Sequence, residues 1–594
     1  MYGARAQRVP ARGPKNLADV DVYKLVLLGR TERGVDKVHD NIFDMNDFVK
    51  KCGGFKSGFY SAYEVKSFYD TLKRGVNVEL KVRGFVASDA AQSSVDIMDG
   101  HGTPDKVFTL SAGLKGDIDK SAFGDKIGYK ISQSFNYQYS LAADSTASAS
   151  TQFVLTSVEH LQVGYLYKVV DTGTAKTEWA FITAIDEATK TVTFAALGNA
   201  TLYAAATTTL YRADWNLELA VKDEKGVFQK KEEWLEMPFA ESDLLGAPLL
   251  LNDAVSGSYY GILAFDDTNA SDPAVVLPAA VTSWTALSGG SDGTGPTDSD
   301  WNTLSADLAD DDSMIFLAPE STSKDHNENM SVFSSDGEKF MYFGQAANGA
   351  TEDILRELGL SLRSPVRFAM IPCDKWLEVE DELVPGSVID IPPVGVCAAH
   401  WFNIYSTYGI GKVAAGNADV VNTTARLLDS NGLVHDDVGG AGDRMIRKYS
   451  VNIARFRRGK GITVNSARTL STDTGYIFQN QIMGFLLLKK SILAYLQGIE
   501  QDPSGTAAQE SHYNAVYAYL KKKYNANVFY RGQKEDGTPT EFSDVVKIVN
   551  DFSVNTLADI ANGKETIFVQ TVFTPPIEEP ILSLASASVT TIRA

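Results

Sequence analysis

Three short patterns in the chain could carry chemistry. Gly289-Gly-Ser291-Asp-Gly293 matches the G-x-S-x-G arrangement, which holds a nucleophilic serine on a strained turn. Gly409-Ile-Gly411-Lys-Val-Ala414 matches a relaxed dinucleotide fingerprint, in which glycine backbone approaches a pyrophosphate. Cys397 and His400 have the spacing of half a metal site. Each pattern can act only if the neighbouring elements position it.

The flanking sequence supports none of these sites. A nucleophile turn leads directly into a helix, but Thr294-Gly-Pro-Thr297 follows here, so the pattern favours a glycine-rich turn. No apolar strand runs into Gly409, and Val413 replaces the Ser or Thr of a nucleotide-binding P-loop. No second Cys/His pair completes a metal site. We therefore expect no catalytic residues, no cofactor and no metal ion.

Composition restricts the remaining classes of function. The chain has 594 residues, 44% hydrophobic and 22% charged, which predicts a soluble protein of two to four domains. The net charge of −20 argues against nucleic-acid binding. We expect no direct membrane insertion and no signal peptide, because uninterrupted apolar runs are short and the basic start lacks an apolar core. Cys52, Cys373 and Cys397 are scattered, which predicts free thiols.

The hydrophobic pattern predicts a mixed α/β (α+β) multidomain protein. Tyr23–Leu28 is a predicted strand, Ser61 begins a helix whose Ser61/Glu64 pair matches a capping box, and Val76–Val82 alternates like a strand. Residues 140–215 resemble a small all-β barrel or sandwich, inserted between two strands of a parent sheet. Apolar stripes then predict a helix from Tyr476 to Leu496, another from Thr506, and a strand at Thr566–Phe573.

Charge and hydropathy are unevenly distributed. Acidic residues cluster at Asp307–Asp312 and basic residues at Arg444–Lys460, which predicts either solvated faces or complementary faces on neighbouring subunits. After Pro575, Pro576 and Pro580 the chain ends in an apolar tail. Such a tail predicts a strand that adds to a sheet edge of another copy, or one that folds back onto its own domain. Its apolar residues are Ile581, Leu582, Leu584, Val589 and Ile592.

Several stretches, in order, resemble contractile tail-sheath proteins of phage tails and related injection systems. The strongest match runs from Asn452 through Arg468-Thr469-Leu470-Ser471. The other matches are Leu25–Gly34, Cys52-Gly-Gly-Phe55, Ser61–Val86, Leu287–Gly293 and Pro392–His400. The resemblance covers about residues 21–95 and 216–594, and it excludes the 140–215 insertion.

This resemblance implies a subunit without enzymatic activity, and it predicts where its domains lie. A tube-proximal core domain is expected at 21–95 plus 388–575, a middle domain at 96–139 plus 216–387, and an outward-facing insertion at 140–215. Residues 1–20 and 576–594 are expected to be linking arms, with Arg8 and Arg12 in the first and the apolar tail in the second. Sheath subunits of the family form hexameric rings stacked helically around a tube, and contraction drives that tube through an envelope.

The resemblance also implies partners and a location. The expected partners are further copies of the chain, the tail tube protein, and baseplate and tail terminator proteins, within a virion tail assembled in a bacterial cytoplasm. Arg455, Arg457, Arg458 and Lys460 lie beside the best-matching motif, so we expect them to face the tube or a neighbouring subunit. Two other classes stay open: a subtilisin-like hydrolase, because of Gly289–Gly293, and a secreted β-rich adhesin, because of the insertion.

Overall fold

The first strand of the chain, Lys24–Gly29, lies at the centre of the largest sheet. The computed structural model describes residues 17–145, 151–195, 197, 202–237, 250–265, 277–308, 310–320, 339–344, 351–374, 376–416, 420–421, 423, 426–427, 441–457, 461–499 and 506–576. Lys24–Gly29 pairs in parallel with strands on both of its sides. In spatial order the six strands of this core sheet are Val38–Ile42, Glu79–Gly84, Lys24–Gly29, Ile315–Ala318, Phe340–Phe343 and Ala369–Met370.

Helices cover both faces of the core sheet, because its central strands are apolar on both sides. Leu25 and Leu27 belong to one buried cluster, whereas Val26 and Leu28 belong to another. The helices of the described residues are Met45–Cys52, Ser61–Thr71, Asp298–Ala306, Glu352–Leu362, Val394–Tyr408, Ala441–Tyr449, Gln479–Ile499, Thr506–Asn525, Phe542–Val545 and Leu557–Ala561, with 3-10 turns at Ala122–Lys126 and Leu250–Asn252.

A separate β domain lies in the chain between the core strands Glu79–Gly84 and Ile315–Ala318. It has its own buried cluster around Phe108 and Trp215, whose rings stack at 4.8 Å. One of its sheets has four strands in the order Phe228–Met237, Asp214–Lys222, Ile127–Ser134 and Val281–Ala286. The other sheet contains Gly261–Phe265, Lys106–Leu114, Ser94–Met98 and Asp117–Ile118. The chain thus enters this domain near residue 90 and leaves it near residue 290.

A six-stranded barrel is inserted between Ile127–Ser134 and Asp214–Lys222, which pair with each other so that Ser134 lies opposite Asp214. Its strands, in order, are Gln138–Ser140, Thr208–Arg212, Leu166–Asp171, Lys176–Asp186, Thr191–Phe194 and Gln152–Val154. An antiparallel bridge between Leu141 and Leu155 joins the first strand to the last and closes the barrel. Leu166 and Phe181 pack into the core of the β domain, so the barrel is docked against its parent.

Three small sheets complete the C-terminal half. Two of them enclose a minor core around Leu377 and Ile462. Their strands are Val388–Ile391, Leu377–Glu380 and Arg426–Leu427 in one sheet, and Val420–Val421, Gly461–Val464 and Ala454–Arg457 in the other. The third, called here the C-terminal sheet, pairs Val546–Val549 with Phe568–Thr571.

The structure departs from the expected domain division between residues 298 and 387. Ile315–Ala318, Phe340–Phe343 and Ala369–Met370 were expected in the middle domain but extend the core sheet that begins with Lys24–Gly29. Ile315–Ala318 is an uninterrupted apolar run, as is typical of a central parallel strand, and nothing local in such a run specifies which sheet it joins.

Two local expectations are also corrected. Ser61 and Glu64 do not form a capping box: the helix has Tyr60 as its N-cap and no side-chain cap, and the buried Glu64 carboxylate accepts a hydrogen bond from the Gly395 N–H instead. The acidic cluster is not simply a solvated face, because Asp307, Asp311 and Asp312 form ion pairs within the chain. Their partners are Arg83, Lys81 and Lys24.

The helix Gln479–Ile499 is long and apolar enough to span a membrane by length and composition alone. In the structure, Ile482, Met483 and Leu486 of this helix are fully buried in the principal core. The core helix of a soluble protein has the same composition, so this helix gives weak support for membrane insertion.

Candidate functional site

The glycine-rich loop around Ser291 packs between domains. The Ser291 hydroxyl accepts a hydrogen bond from the Gly293 N–H, and the Ser291 backbone bridges to Ala91. The next helix does not begin until Asp298, so Ser291 is not on a strand-to-helix turn. The loop instead lies at the contact between the core sheet and the β domain, which we call the domain seam.

Arg33 and Asp119 form an ion pair at the centre of this seam, and both side chains are completely inaccessible to solvent. Arg33 Nε donates to Asp119 Oδ2 at 2.8 Å, while its other nitrogens donate to the carbonyls of Lys50 at 3.0 Å and Gly113 at 2.8 Å. Asp119 Oδ1 accepts from the Gly34 N–H at 2.8 Å and the Ser121 hydroxyl at 2.7 Å. The pair is therefore fully hydrogen-bonded, as a buried charge requires.

Further charged contacts surround this pair. The Glu32 carboxylate, 5% exposed, binds Lys126 across the seam and accepts a hydrogen bond from the Gly54 N–H. Asp292 binds Lys56 of the core domain and accepts from the Ala122 N–H of the β domain at 3.1 Å. The seam is thus predominantly polar, although each domain has an apolar core of its own.

Two glycines allow close backbone packing here: Gly34 meets the β domain across the seam, and Gly290 packs against Ser93 and Ser121 within the β domain. A Cβ at Gly34 would overlap the Lys120 carbonyl, and a Cβ at Gly290 would overlap the Ser93 hydroxyl and the Ser121 carbonyl. The Gly34 carbonyl accepts a hydrogen bond from the Lys120 N–H at 2.8 Å. Three of the motif stretches, Leu25–Gly34, Cys52–Phe55 and Leu287–Gly293, therefore meet at the seam, and none of them forms a catalytic site there.

The carboxyl ends of the core strands are where an open α/β sheet commonly binds a ligand, at the point where strand order reverses. That point lies here between Lys24–Gly29 and Ile315–Ala318. The buried Glu320 carboxylate occupies it, accepting from the Arg30 N–H at 3.1 Å and from Arg30 Nε at 2.5 Å. Burial raises the pKa of Glu320, and Arg30 opposes that rise. An internal ion pair thus fills the position that an anionic ligand would take.

The segment Arg468–Ser471 is a structural connection. The buried Asn452 side chain accepts from the Arg468 N–H at 2.8 Å and donates to the carbonyls of Ile371 and Arg468. Thr469 and Leu470 are fully buried, and the Arg468 guanidinium lies over the Phe478 ring at 5.3 Å. These contacts hold the segment that follows the strand Gly461–Val464 against the edge of the core sheet.

The other two chemical patterns lie on one helix. Gly409 ends the helix Val394–Tyr408 with φ of +75° and donates its N–H to the Tyr405 carbonyl, so it is a helix terminus and not a phosphate-binding turn. Cys397 and His400 lie within that helix. Among the described residues, no group of three or more His, Cys, Asp or Glu side chains is placed to hold a metal ion, and no disulfide joins the three cysteines.

Both ends of the described chain meet at one C-terminal module, defined here as Gln479–Ile499, Thr506–Asn525 and the C-terminal sheet. Near the start of the chain, Asp19 accepts from the Tyr519 hydroxyl at 2.7 Å and pairs with Lys523, and the Val20 N–H donates to Ser491. Near its end, Asn480 donates to the Thr574 carbonyl at 2.8 Å. Both ends of the described part of the chain, at Asp19–Val20 and at Thr574, thus contact the same module.

The C-terminal sheet has only two strands among the described residues. The Val572 N–H donates to the Val545 carbonyl, so every second residue of the strand Phe568–Thr571 directs its N–H towards the partner strand Val546–Val549. The N–H groups of Val569 and Thr571 therefore point to the outer edge of the strand Phe568–Thr571. This strand contains no charged residue, and Phe568 is 46% exposed.

Two neighbouring cavities of about 590 and 420 Å³ lie along the helix Thr506–Asn525, beside the C-terminal sheet. Tyr513 lines both, and Tyr517, Phe542 and Ile548 line the larger one. Nearby, Phe552 and Leu557 are 69% and 74% exposed. The module thus presents an aromatic groove next to a short sheet whose outer edge pairs with no other strand of the described residues.

The predicted site residues are only partly visible. Arg455 and the backbone of Arg457 belong to the strand Ala454–Arg457, an edge strand on which Phe456 is 71% exposed. Arg458, Lys460 and all the predicted linking residues lie outside the described residues: Arg8, Arg12, Ile581, Leu582, Leu584, Val589 and Ile592. Their roles stay predictions. The seam residues Arg33 and Asp119 were not singled out: Arg33 lies in the matching stretch Leu25–Gly34, but nothing in the sequence links it to Asp119, 86 residues away.

No protein-family model and no curated protein matches the chain. Among solved structures, it is similar to the contracted PVC sheath complex of an extracellular contractile injection system, with 20% identity, a TM-score of 0.39, and 48% of this chain and 75% of that chain covered. It is also similar to the contracted helical sheath of the anti-feeding prophage, with 16% identity, a TM-score of 0.38, and 51% and 78% covered.

A third similar structure is a sheath tail protein from Desulfitobacterium hafniense, with 9% identity, a TM-score of 0.45, and 90% of this chain and 91% of that chain covered. These neighbours are described as sheath proteins and not as enzymes.

Proposed function

We propose that this chain is the sheath subunit of a contractile injection machine, and that copies are linked by strand addition to the C-terminal sheet. The observation that carries the proposal is the C-terminal module, which joins both chain ends to a two-stranded sheet with an unpaired outer edge. The motif resemblance from Asn452 to Ser471 supports the same function.

The apolar tail has the properties of the added strand. Residues 581–594 include no acidic residue, and Arg593 is their only charged side chain. Eighteen residues follow Pro576, enough to extend about 60 Å at ~3.3 Å per residue, so the tail can reach a neighbouring subunit. The Val569 and Thr571 N–H groups would donate to its carbonyls, and exposed aromatic side chains would cover its apolar residues.

The finer features of the family belong to the same proposal. We infer hexameric rings stacked helically around a tail tube, with baseplate and tail terminator proteins at the ends and contraction that drives the tube through an envelope, in a virion tail or a related injection system. The proposed division has a tube-proximal core, a middle domain and an outward-facing barrel. Arg455, Arg457, Arg458 and Lys460 are proposed to face the tube or a neighbour.

Electron microscopy of the purified chain tests the assembly. We expect tubes or rings from the full chain, and folded but unassembled subunits after deletion of residues 581–594. Thr571→Pro should also abolish assembly, because it removes an N–H that points outward but keeps the hydrogen bonds between the two strands of the C-terminal sheet. Thr571→Val keeps that N–H and should still assemble. Tubes formed without the tail would refute strand linkage, and a chain that stays monomeric at all concentrations would refute the sheath function.

The basic residues need a separate test. Charge reversal at Arg457 and Arg458 should prevent assembly of the extended sheath if these residues face the tube or a neighbour. Assembly that proceeds normally in the reversed variant would refute that placement.

A further inference from the structure

Burying the ion pair at the domain seam costs desolvation free energy, so the presence of two charges there needs an explanation. Desolvating two charges offsets most of their attraction, so a buried pair stabilises a fold little more than apolar residues of the same volume would. Arg33 and Asp119 are nevertheless completely buried between two domains that have extensive apolar cores. A polar contact differs from an apolar one in its directionality, because each hydrogen bond fixes an angle and a register.

The geometry of Arg33 constrains three separate elements at once. Its guanidinium contacts Asp119 just after the strand Asp117–Ile118, the end of the strand Lys106–Leu114 through Gly113, and the end of the helix Met45–Cys52 through Lys50. The ring of Phe123 lies 5.1 Å from its Cζ atom. A rotation of one domain against the other would break several of these bonds together.

We propose that the Arg33–Asp119 pair is an orientation lock, which holds the core domain and the β domain at one fixed angle so that they move as a single rigid body. The outer contacts Glu32–Lys126 and Lys56–Asp292 hold the same register at the rim of the seam. Gly34 brings the backbones of the two domains close enough for the lock to form. In a contracting polymer, such a subunit would transmit a displacement of its core to its outer domains without bending.

Distances between spin labels on the isolated subunit test this lock directly. Arg74 in the core domain and Lys225 in the β domain are exposed and outside the seam, so Arg74→Cys and Lys225→Cys place the two labels. Cys52 and Cys373 are buried, and Cys397 is replaced by alanine. The double variant R33M/D119L removes both charges together and leaves no unpaired ion. The matched control is K37M/D117L, which removes a partly exposed pair beside the seam.

We expect R33M/D119L to keep its circular dichroism spectrum and to broaden the distance distribution about twofold relative to the control, because the directional contacts are lost. A folded R33M/D119L protein with a distribution as narrow as the control would overturn the proposal. If that variant does not fold, R33K keeps the buried charge but loses the planar fork that bonds Asp119, Gly113 and Lys50 together, and an unchanged distribution there would overturn the proposal instead. Both readouts use the subunit alone, so they are independent of the proposed sheath assembly.

Discussion

Glu64 is a buried carboxyl whose charge should make the core domain sensitive to pH. Its side chain is 1% exposed, and its Oε2 atom accepts from the Gly395 N–H at 2.5 Å, at the start of the helix Val394–Tyr408. Burial raises the pKa of Glu64 from 4.5 to about 8, and the hydrogen bond from Gly395 opposes that rise. The folded state therefore binds this proton more tightly than the unfolded state does.

The sign and size of the effect follow from this difference in pKa. The stabilisation from Glu64 protonation is complete below about pH 4.5 and is lost as the pH rises through about 8. Between these two pH values the stabilising free energy falls by about 5 kcal/mol at most. This corresponds to a roughly tenfold increase in the equilibrium constant for local opening per pH unit. Glu64→Gln keeps an acceptor for the Gly395 N–H and removes the charge, so this pH dependence should disappear.

Hydrogen exchange of peptides covering residues 61–71 and 394–408, corrected for intrinsic rates, measures the local opening equilibrium. Amide protection in the wild type should fall between pH 5 and 8. In E64Q the protection should not change with pH, and at pH 8 it should exceed that of the wild type. The matched control is Glu510→Gln, an exposed carboxylate on the helix Thr506–Asn525, which should follow the wild type. Parallel profiles for wild type and E64Q would refute the reasoning.

Three further predictions concern stability. Asn452→Ala leaves the Arg468 N–H and the Arg468 carbonyl without the buried side chain that binds them, whereas the Ile371 carbonyl keeps its bond from the backbone N–H of residue 452, so we expect a loss of about 2–5 kcal/mol in thermal unfolding, against little change for the exposed Asn525→Ala. Gly34→Ala should abolish soluble expression or lower the melting temperature strongly, because its Cβ meets the Lys120 carbonyl, whereas Gly58→Ala meets no atom within 4 Å and is limited to the ordinary strain of its φ. Replacing residues 135–213 by a two-residue Asn-Gly turn should leave a folded protein in circular dichroism, because Ser134 and Asp214 already lie opposite each other.

Sequence periodicity predicted the elements whose apolar residues repeat locally. The stripe at Ile482, Phe485 and Leu486 predicted the helix observed at Gln479–Ile499, and the apolar run near the end of the chain predicted the strand Phe568–Thr571. The inserted barrel was predicted from short β-prone stretches between turn residues. These signals are local, so tertiary contacts do not change them.

The long-range features could not be predicted in this way. Glu64 matched a capping box, but tertiary packing placed it against Gly395, 331 residues away. Arg33 and Asp119 are 86 residues apart, and no pattern in either segment indicates that they meet. Ile315–Ala318 was expected in the middle domain but pairs with Lys24–Gly29 of the core sheet, and no local pattern indicates that partner. Strand partners and buried ion pairs are set by how the chain folds back on itself, which a periodicity does not encode.

Two sheet edges of the described residues differ in a way that bears on how copies would meet. The long edge strand Phe228–Met237 carries the exposed residues Lys230, Lys231 and Glu233, and charges on an edge oppose pairing with another strand. The edge strand Phe568–Thr571 carries none, and it lies on the module to which both chain ends are joined. If polymerisation uses strand addition, this contrast directs it to the C-terminal sheet. Replacing Lys230, Lys231 and Glu233 by threonine should therefore produce irregular aggregates in light scattering, whereas Gln570→Lys should prevent ordered assembly without aggregation.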